Sequence, residues 1–415
     1  MTKLLVIADD FTGALDTGIQ FAREGTKTCV AIGAGGALAP RSSFPVVVID
    51  SETRHLPHAE AYETVCRLVN EARASGVEYI YKKTDSALRG CVGAELTAAL
   101  DAWPDASELA FAPAFPKVRR TTEGGTQYIN GVPVSESAFG RDPFEPVRHS
   151  YIPDIIAEQS EVKVRLASSP ASPYGRQITV YDASTDDDLA AIAETLKAKN
   201  CTLAAGCAGL AAHLETFIDL PKGESLRPRK TQGVFVVCGS LNPISEEQLL
   251  NAEAAGFRRI SLTSEQKLRE DYLSTGDGRR WLNSLKDACL SGVPVIVDGF
   301  GSIESNFEAS GCDRAKTEEI RQRVARRLGE IMYEWFKFGL DHTLVTIGGD
   351  TLAGFMKKAE CSELTPVCEL SDGVVCSTLG LKGRVLQIVS KSGGFGYKNV
   401  LTDIASQLAT GGGKQ

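Results

Sequence analysis

Short runs of apolar, often β-branched residues alternate with longer amphipathic stretches along most of the chain. The runs that predict strands in the first half are Leu4–Ala8, Thr28–Ile32, Val46–Ile49, Tyr79–Tyr81, Leu109–Ala112, Ile178–Tyr181 and Thr202–Ala205. Helical patterns lie between them, for example over Ala14–Arg23 and Ala59–Ala74. Continuous apolar strands separated by helices are typical of a parallel sheet covered on both faces, so we predict an α/β domain.

A second α/β pattern follows residues 220–230, which are charged, contain two prolines and a glycine, and lack periodicity. Its predicted strands are Val234–Cys238, Arg259–Leu262, Val293–Val297, Leu344–Ile347, Val374–Ser377 and Leu386–Val389, with a long helix over about Lys316–Phe338. The pattern predicts two α/β domains, residues 1–225 and 232–410, each a mostly parallel sheet flanked by helices.

Residues 116–150 interrupt the first α/β pattern. The segment Tyr128-Ile-Asn-Gly-Val132 predicts a hairpin, because Asn-Gly accepts the positive φ angles of a type I′ turn. Several prolines and the Gly124-Gly125 pair surround it. We therefore expect a hairpin-containing insertion on the first domain.

Composition and charge narrow the class of protein. The 415 residues carry a formal net charge of −8, which argues against nucleic acid as the main partner. The eleven cysteines are odd in number and form no CxxC pair, so reduced thiols are a better interpretation than disulfides or zinc. The first apolar run, Leu4–Ala8, is too short for a signal peptide or a membrane span. These features predict a cytoplasmic protein without a membrane partner.

Polar residues follow several predicted strands of the first domain. Asp9-Asp10 follows the first, Asp50 to Arg54 follows the third, and Lys82 to Ser86 follows the fourth, with Arg89 shortly after. Ligands of open α/β sheets bind outside the carboxyl ends of the strands, so these residues should meet at one edge. The candidate substrate residues are Asp9, Asp10, Arg54, Lys83, Thr84, Asp85, Ser86 and Arg89.

Each candidate also has a structural interpretation. Either aspartate can cap a helix, Arg54 alone can be a solvated loop residue, and Lys82 and Lys83 point to opposite faces of a strand. Together, the group suits a small polyol carboxylate, with arginine binding the carboxylate and aspartate accepting a hydroxyl proton. We expect one aspartate to face the substrate, preferably Asp10, and the other to cap the following helix or support the site.

Glycines follow the predicted strands of the second domain. Gly239-Ser240, the loop Gly348-Gly349-Asp350-Thr351, and Lys391-Ser392-Gly393-Gly394 each stand at a strand end. Glycines let backbone amides approach an anion closely, so three such loops suggest a nucleotide polyphosphate. No GxxxxGK[ST] P-loop and no GxGxxG fingerprint occurs, which argues against a Walker ATPase and a standard dinucleotide-binding dehydrogenase.

The chain resembles the four-carbon acid sugar kinase family in several motifs spread over nearly its whole length. They are Ile7-Ala-Asp-Asp-Phe-Thr-Gly-Ala-Leu-Asp-Thr-Gly18, Lys82-Lys-Thr-Asp-Ser-Ala-Leu-Arg-Gly90, Pro113-Ala-Phe-Pro116, Arg120-Thr-Thr-Glu-Gly-Gly125, Asn130-Gly-Val-Pro-Val-Ser135, Arg141-Asp-Pro143 and Lys391-Ser-Gly-Gly-Phe-Gly396. The chain departs from the family at Asp350, where glutamate is usual, and at Cys207, where serine is usual.

The resemblance implies an N-terminal sugar-acid-binding domain and a C-terminal ATP-binding domain. It implies phosphorylation of the 4-hydroxyl of D-threonate, D-erythronate or a 3-oxo-tetronate, with ATP and Mg²⁺. By the same resemblance, Asp9 or Asp10, Arg54 and Lys83–Ser86 would contact the sugar acid. Ser240, Gly348–Thr351, Gly393 and Gly394 would contact ATP, and Lys391 lies in the last of these motifs.

Two other classes of function compete with a kinase. One is a sugar-acid sensor that binds nucleotide without catalysis, against which the intact Asp9-Asp10 and Lys391–Gly394 segments count. The other is a nicotinamide-dependent oxidoreductase, against which the missing GxGxxG counts. The stereoisomer of the acid, the metal ligands and the oligomeric state stay open, although the 116–150 insertion would suit a contact in a homo-oligomer.

Overall fold

The computed structural model describes residues 1–33, 38, 41–142, 145–169, 175–300 and 314–410, without the side chains of 314–318. Pro143 of the Arg141-Asp-Pro143 motif lies outside the described residues. The chain divides into two compact units, Met1–Ser225 and Leu226–Gln415. Each unit contains a mostly parallel sheet flanked by helices, which confirms the predicted fold class.

The described residues of the first unit form a main sheet of eight parallel strands and a separate small sheet of three strands. Its strands in chain order are β1 (Leu4–Ala8), β2 (Thr28–Ile32), β3 (Val46–Asp50), β4 (Tyr79–Lys83), β5 (Glu108–Ala112), β6 (Arg120–Glu123), β7 (Thr126–Ile129), β8 (Val132–Pro133), β9 (Lys163–Leu166), β10 (Gln177–Val180) and β11 (Leu203–Gly206). The parallel order is β2-β3-β1-β4-β11-β5-β10-β9. The sequence pattern missed β9, an edge strand whose lysine and arginine break the apolar run.

Six α-helices in the described residues flank this sheet. They are α1 (Phe11–Ala22), α2 (His58–Ala74), α3 (Val92–Ala102), α4 (Ile152–Ala157), α5 (Asp186–Ala198) and α6 (Ala208–Ala211). All five residues of β1 and all five of β3 are buried, because helices cover both faces of the sheet. Leu5, Ile7, Val47 and Ile49 belong to the main core cluster.

The predicted insertion is a three-stranded antiparallel sheet, β6-β7-β8, which we call the arm. Asn130 (φ 53°) and Gly131 (φ 79°) join β7 to β8, which confirms the hairpin at Asn-Gly. A second turn with two positive φ angles, at Gly124-Gly125, joins β6 to β7. The bridge between Thr122 and Ala183 attaches the arm to the rest of the first unit.

The sheet of the second unit combines parallel and antiparallel strands. They are β12 (Gly233–Cys238), β13 (Arg258–Ser261), β14 (Val295–Asp298), β15 (His342–Ile347), β16 (Glu363–Ser371), β17 (Val374–Leu381) and β18 (Arg384–Lys391). Their order is β13-β14-β12-β15-β18-β17-β16. Among these described strands, the pairs β18–β17 and β17–β16 are antiparallel, and the other pairs are parallel.

Helices also flank the second sheet. Those described are α7 (Pro243–Ala254), α8 (Ser264–Leu268), α9 (Gly276–Leu290), α10 (Arg314–Lys337), α11 (Gly349–Ala359) and α12 (Val400–Leu408). Helix α10 agrees closely with the long helix predicted from Lys316 to Phe338. In the described part of the chain, we find no helix with the length and apolar character needed to cross a membrane.

The two adjacent lysines of β4 occupy opposite faces of the first sheet. Lys82 is fully buried, and its Nζ lies 3.1 Å from Oε2 of Glu95 on α3. Removing one partner of a buried ion pair typically costs about 3–5 kcal/mol, because the remaining charge is left uncompensated. Lys82 therefore has a structural role. Lys83 lies on the opposite face of the sheet.

Candidate active site

Three adjacent strands bring the polar residues of the first unit together. Strand β1 lies between β3 and β4, and Ala8 at its end pairs with both Asp50 and Lys83. The segments that follow Ala8 and Asp50 therefore start beside one another, next to the end of β4. The predicted convergence at one sheet edge is thus present in the described structure.

Four side chains at this edge form an ion-paired group, Asp9, Asp10, Arg54 and Lys83, which we call the quartet. Arg54 donates from Nε to Oδ2 of Asp9 at 2.7 Å, and its Nη2 lies 2.7 Å from Oδ1 of Asp10. Lys83 Nζ lies 3.3 Å from Oδ1 of Asp9 and 3.2 Å from Oδ1 of Asp10. Each cation therefore contacts both aspartates.

Burial and charge act in opposite directions on the quartet. Burial alone would raise the pKa of Asp9, but the charges of Arg54 and Lys83 outweigh it and hold this pKa well below its ordinary value. Burial alone would lower the pKa of Lys83, but the two aspartates raise it. Asp9 is consequently a buried carboxylate that stays ionised, with a poor tendency to accept a proton.

Asp10 is the N-cap of α1, and its Oδ1 accepts a hydrogen bond from Gly13 N at 3.1 Å. Its side chain is also the more exposed of the two aspartates, at 26% against 2% for Asp9. We expected one aspartate to face the substrate and the other to cap the helix or support the site. In the structure, Asp10 both caps α1 and has the more exposed side chain. Asp9 is the buried aspartate that supports the site.

Gly13 allows this close arrangement. A Cβ at this position would lie 1.8 Å from Lys83 Nζ and 2.6 Å from Asp10 Oδ1. Any side chain here would displace the lysine from the aspartates, so the glycine of the Asp9-Asp10-Phe-Thr-Gly13 segment is required by packing.

Arg54 is not a solvated loop residue, because its side chain is only 9% exposed. Two of its three guanidinium nitrogens already bind aspartates. Burial alone would lower its pKa, but Asp10 and Asp9 raise it well above its usual value. Direct binding of a substrate carboxylate by Arg54 stays a prediction, and its observed contacts hold the two aspartates in place.

A second polar group lies after β4. Thr84 N donates to the carbonyl of Gly206 at 2.8 Å, which attaches this segment to the end of β11. Oδ2 of Asp85 accepts from Nε of Arg89 at 2.7 Å. Burial alone would raise the pKa of Asp85, but Arg89 and Arg54 hold it well below its ordinary value.

The arm contributes two residues that the sequence analysis did not assign to the site. Arg120 donates from Nη1 to the hydroxyl of Ser86, and Gln127 donates from Nε2 to the carbonyl of Ser86 at 2.7 Å. Both contacts are long-range in sequence, so no local pattern reveals them. The signal that was available is the family motif beginning at Arg120.

Asp50, at the end of β3, is a further buried acid that the sequence analysis left out of the site. Its side chain is almost wholly buried, and its Oδ1 accepts from Glu52 N at 3.1 Å. Burial, and next the nearby charge of Asp10, raise the pKa of Asp50 well above its ordinary value. Asp50 is therefore a buried acid near Asp10 of the quartet that resists ionisation.

The glycine-rich loops of the second unit also meet at one sheet edge, because β15 lies between β12 and β18. Gly348 has a φ of 104° and is the N-cap of α11. A Cβ on Gly239 would lie 2.3 Å from Thr351 Oγ1, and one on Gly393 would lie 2.2 Å from Ser240 Oγ. The three loops thus contact one another closely, and their glycines permit it.

Lys391 ends β18 beside these loops. Its Nζ donates to the carbonyls of Ser392 at 2.8 Å and Phe395 at 2.9 Å. Burial lowers the pKa of Lys391 to about 8.

Gly349 begins α11, and Asp350 in its first turn is largely exposed, with Oδ2 3.5 Å from Arg321 Nε. Gly394 follows Gly393 in the same loop.

Within the ranges given above, no group of three or more histidine, cysteine, aspartate or glutamate side chains is arranged to hold a metal ion. The ten described cysteines are free thiols. Cys207, at the position where the family usually has serine, caps α6 by accepting from Gly209 N at 3.4 Å. The thiol thus fills the capping role that a hydroxyl usually has.

Family models match both units of the chain. A model described as a sugar-binding N-terminal domain matches residues 4–214, and one described as a nucleotide-binding C-terminal domain matches residues 235–401. The polar strand ends of the first unit and the glycine-rich strand ends of the second lie within these matches. The chain thus matches a sugar-binding family model with its first unit and a nucleotide-binding family model with its second.

Characterised relatives identify the family more closely. The chain is 31% identical to a D-threonate kinase of Bordetella bronchiseptica, over 97% of this chain and 96% of that one. It is 30% identical to a D-threonate kinase of Salmonella typhimurium, over 97% of both chains, and 26% identical to a D-erythronate kinase of Heliobacterium modesticaldum, over 99% and 98%. The chain belongs to the four-carbon acid sugar kinase family, which confirms the resemblance found in the sequence.

Two solved structures share the fold. A Salmonella typhimurium protein has a TM-score of 0.78 at 21% identity, covering 98% of this chain and all of that one. A Haemophilus influenzae protein has a TM-score of 0.71 at 19% identity, covering 96% and 98%. At these identities, the two likenesses concern the fold alone.

Asp50 gives a prediction on stability. Because its folded pKa is raised, the folded chain keeps a proton that the unfolded chain releases above a pH of about 3.9. The free energy of unfolding should therefore fall as the pH rises, by up to about 1.4 kcal/mol per pH unit, until the pH passes the folded pKa. Asp50→Asn should remove this loss, so its stability advantage over the unmodified protein should grow as the pH rises above about 3.9, until the pH passes the folded pKa of Asp50.

Urea unfolding followed at several pH values measures this difference. Asp105→Asn, at an exposed turn, serves as the control and should run parallel to the unmodified protein. Parallel curves for Asp50→Asn as well would show that Asp50 ionises as easily in the folded chain as in the unfolded one.

Proposed function

We propose that this protein is an ATP-dependent kinase that phosphorylates the 4-hydroxyl of a four-carbon sugar acid, such as threonate, erythronate or a 3-oxo-tetronate. The quartet is the observation that carries the proposal: two aspartates and two cations at the carboxyl end of a central strand. The names of the related kinases support the substrate class. The free cysteines suit a reducing compartment, and we propose the cytoplasm.

Asp10 is the proposed catalytic base. A general base works best when its pKa lies near the operating pH, and the strongly lowered pKa of Asp9 makes that residue a poor acceptor. Asp10 is the more exposed of the pair. Its carboxylate would orient the 4-hydroxyl and take its proton as the new oxygen–phosphorus bond forms, while the bond between the γ-phosphorus and the bridging oxygen breaks and ADP leaves.

The other members of the quartet are proposed to position Asp10 and the substrate. Arg54 and Lys83 each contact both aspartates, so neither carboxylate can rotate without losing a charged hydrogen bond. Thr84, Asp85 and Ser86 are proposed to bind the remaining hydroxyls, and Arg89 is proposed to lie beside the substrate as a cation. Phosphoryl transfer depends largely on such positioning.

ATP is proposed to bind at the glycine-rich edge of the second unit. Ser240, Gly348, Gly349, Thr351, Gly393 and Gly394 would offer backbone amides and hydroxyls, and the first turn of α11 would face phosphate with its amides. Lys391 would add a positive charge, which is retained below a pH of about 8.

Mg²⁺ is proposed to arrive bound to ATP. This ion keeps several waters and commonly uses only one or two carboxylates together with substrate phosphates, so the lack of a carboxylate cluster among the described side chains is compatible with it. Asp350, exposed in the first turn of α11, is the carboxylate that we propose as a partner of this ion. The ion would neutralise charge on the transferring phosphoryl group.

The competing function is a sugar-acid sensor that binds nucleotide without turnover. It would need the same binding residues but no base, and the open position of Asp10 favours the kinase. An oxidoreductase has no support in the described strand ends or in the sequence fingerprints. A homo-oligomer stays a prediction that none of these observations tests.

The first functional prediction concerns the reaction itself. The full chain with ATP, Mg²⁺ and a panel of four-carbon sugar acids should release ADP with at least one acid and form a phosphate ester at its 4-position. A coupled assay for ADP and ³¹P NMR of the product measure both outcomes. Binding of an acid and of ATP without any ADP release would favour the sensor.

The second functional prediction separates the two aspartates. Asp10→Asn keeps the cap but removes the base and one charge beside Arg54 and Lys83, so kcat should fall about 10²–10⁴-fold. Because Asp10 is the more exposed aspartate, the loss of unfolding free energy should be smaller than for Asp9→Asn. Asp9→Asn leaves Arg54 and Lys83 with less compensation, so it should destabilise the protein by about 3–5 kcal/mol. Steady-state kinetics and urea unfolding on both variants test this division. A kcat close to that of the unmodified protein for Asp10→Asn would exclude Asp10 as the base.

A further inference from the structure

A network of buried hydrogen bonds connects the ends of β1, β3 and β4, the three strands that lead into the quartet. Its side chains belong to Ser51, Thr53, Lys82 and Glu95, and each of these residues is at most 4% exposed. We call this set the buried network. The mechanism proposed above gives none of these four residues a contact with substrate, so their position beside the quartet needs another explanation.

One end of the buried network attaches the loop after β3 to the end of β1. Ser51 donates from its hydroxyl to the carbonyl of Ala8 at 2.7 Å, and its Oγ lies 2.7 Å from Oγ1 of Thr53. The backbone adds two bonds, from Ser51 N to the Ala8 carbonyl at 2.8 Å and from Arg54 N to the Asp9 carbonyl at 3.2 Å. The loop that carries Arg54 therefore lies directly against the residues around Asp9.

The other end of the buried network reaches α3 and the end of β4. Thr53 donates from Oγ1 to Oε1 of Glu95 on α3. Oε2 of Glu95 lies 3.1 Å from Nζ of Lys82, and this Nζ also donates to the carbonyl of Lys83 at 2.7 Å. Thr53 is thus the link between the loop of Arg54 and a carboxylate that is anchored to the neighbouring strand.

The charges of the buried network and of the quartet influence each other. Burial raises the pKa of Glu95 against the opposing effect of Lys82, and the nearby charge of Asp9 raises it further. Glu95 therefore lies close enough to Asp9 for their charges to interact. Buried polar groups that all have partners rigidify a structure and select one arrangement of it.

We propose that Thr53, bonded to Glu95, is a positioning residue that holds the loop of Arg54 against β1 and so fixes Arg54 and the two aspartates in the geometry that catalysis requires. This inference rests on the proposed function and adds to it a residue that acts through the quartet without touching substrate. Phosphoryl transfer depends on alignment, and a displacement of about 1 Å can lower a rate by about 100-fold.

Two substitutions at Thr53 separate its hydroxyl from its shape. Thr53→Val keeps the branched side chain but removes the donor to Glu95, so kcat should fall by about 10–100-fold. Thr53→Ser keeps the hydroxyl and should restore most of the kcat that Thr53→Val loses. Steady-state kinetics with ATP, Mg²⁺ and a four-carbon sugar acid measure both variants.

Thr97→Val is the matched control, because it removes a threonine hydroxyl from the same helix that carries Glu95. Thr97 donates from Oγ1 to the carbonyl of Gly93 and to the hydroxyl of Ser160, both at 2.7 Å. Residues two apart on a helix do not share a face, so this substitution leaves the buried network intact. It should lower the stability to urea without lowering kcat. An equal fall of kcat in Thr97→Val and Thr53→Val would overturn the proposal.

A second measurement follows the quartet itself and needs neither substrate nor turnover. Arg54 is buried and donates from Nε to Asp9 at 2.7 Å, so its Nε–H should exchange with solvent only when this bond opens. Thr53→Val should accelerate that exchange by about tenfold or more, whereas Thr53→Ser and Thr97→Val should leave it near the rate of the unmodified protein. ¹⁵N NMR of the arginine Nε groups measures the rates, with the Arg54 signal assigned by its loss in Arg54→Lys.

Together, the two measurements distinguish this inference from the proposed function. If no acid is phosphorylated but Thr53→Val still accelerates exchange at Arg54, the kinase assignment fails and the positioning of Arg54 by Thr53 holds. If turnover occurs and Thr53→Val leaves either kcat or the exchange rate unchanged, the role of Thr53 fails alone. Unchanged exchange in a protein without turnover would overturn both.

Discussion

Two adjacent carboxylates at the buried end of a central strand require two cations beside them, and this requirement organises the first unit. Asp9 lies in a position where burial alone would favour its neutral form, yet Arg54 and Lys83 keep it ionised. The cations come from the ends of the two strands that flank β1, so the parallel register of β3 and β4 delivers them. Gly13 supplies the space that Lys83 needs.

The corresponding sheet edge of the second unit is rich in glycines rather than in buried ion pairs. A polyphosphate carries its own charge, so its binding edge needs close backbone approach more than buried ion pairs. The glycines at the ends of β12, β15 and β18 would provide this approach for the proposed nucleotide, and Lys391 lies beside them with carbonyl partners. The contrast between an ion-paired edge and a glycine-rich edge agrees with the sugar-binding and nucleotide-binding descriptions of the two family models.

Much of this arrangement follows from local sequence signals. Buried strands such as β1 and β2 are continuous apolar runs, so their bounds were predicted. The residues directly after β1 were predicted to belong to the site. Strand β16 was missed because Pro366 and several polar residues interrupt its apolar sequence pattern. Its pairing with β17 is also irregular. Which aspartate caps α1 was also not predictable, because it depends on how the chain turns after β1 and on the space that Lys83 occupies.

Arg120, Gln127 and Asp50 show the limit of reasoning from local pattern. Arg120 and Gln127 reach Ser86 from a separate small sheet, 34 and 41 residues away along the chain. Asp50 ends a strand like many other polar residues, and only its burial near Asp10 distinguishes it. Tertiary contacts of this kind carry no sequence periodicity, so a structure is needed to find them.

The central claim is that the cations of the quartet hold Asp9 ionised in spite of its burial. The most direct test is ¹³C NMR of the aspartate carboxyl carbons over a pH titration, with the Asp9 signal assigned by its loss in Asp9→Asn. The account predicts that this signal stays at the ionised position down to the lowest pH at which the chain remains folded. A titration midpoint at or above the ordinary aspartate value of about 3.9 would contradict it.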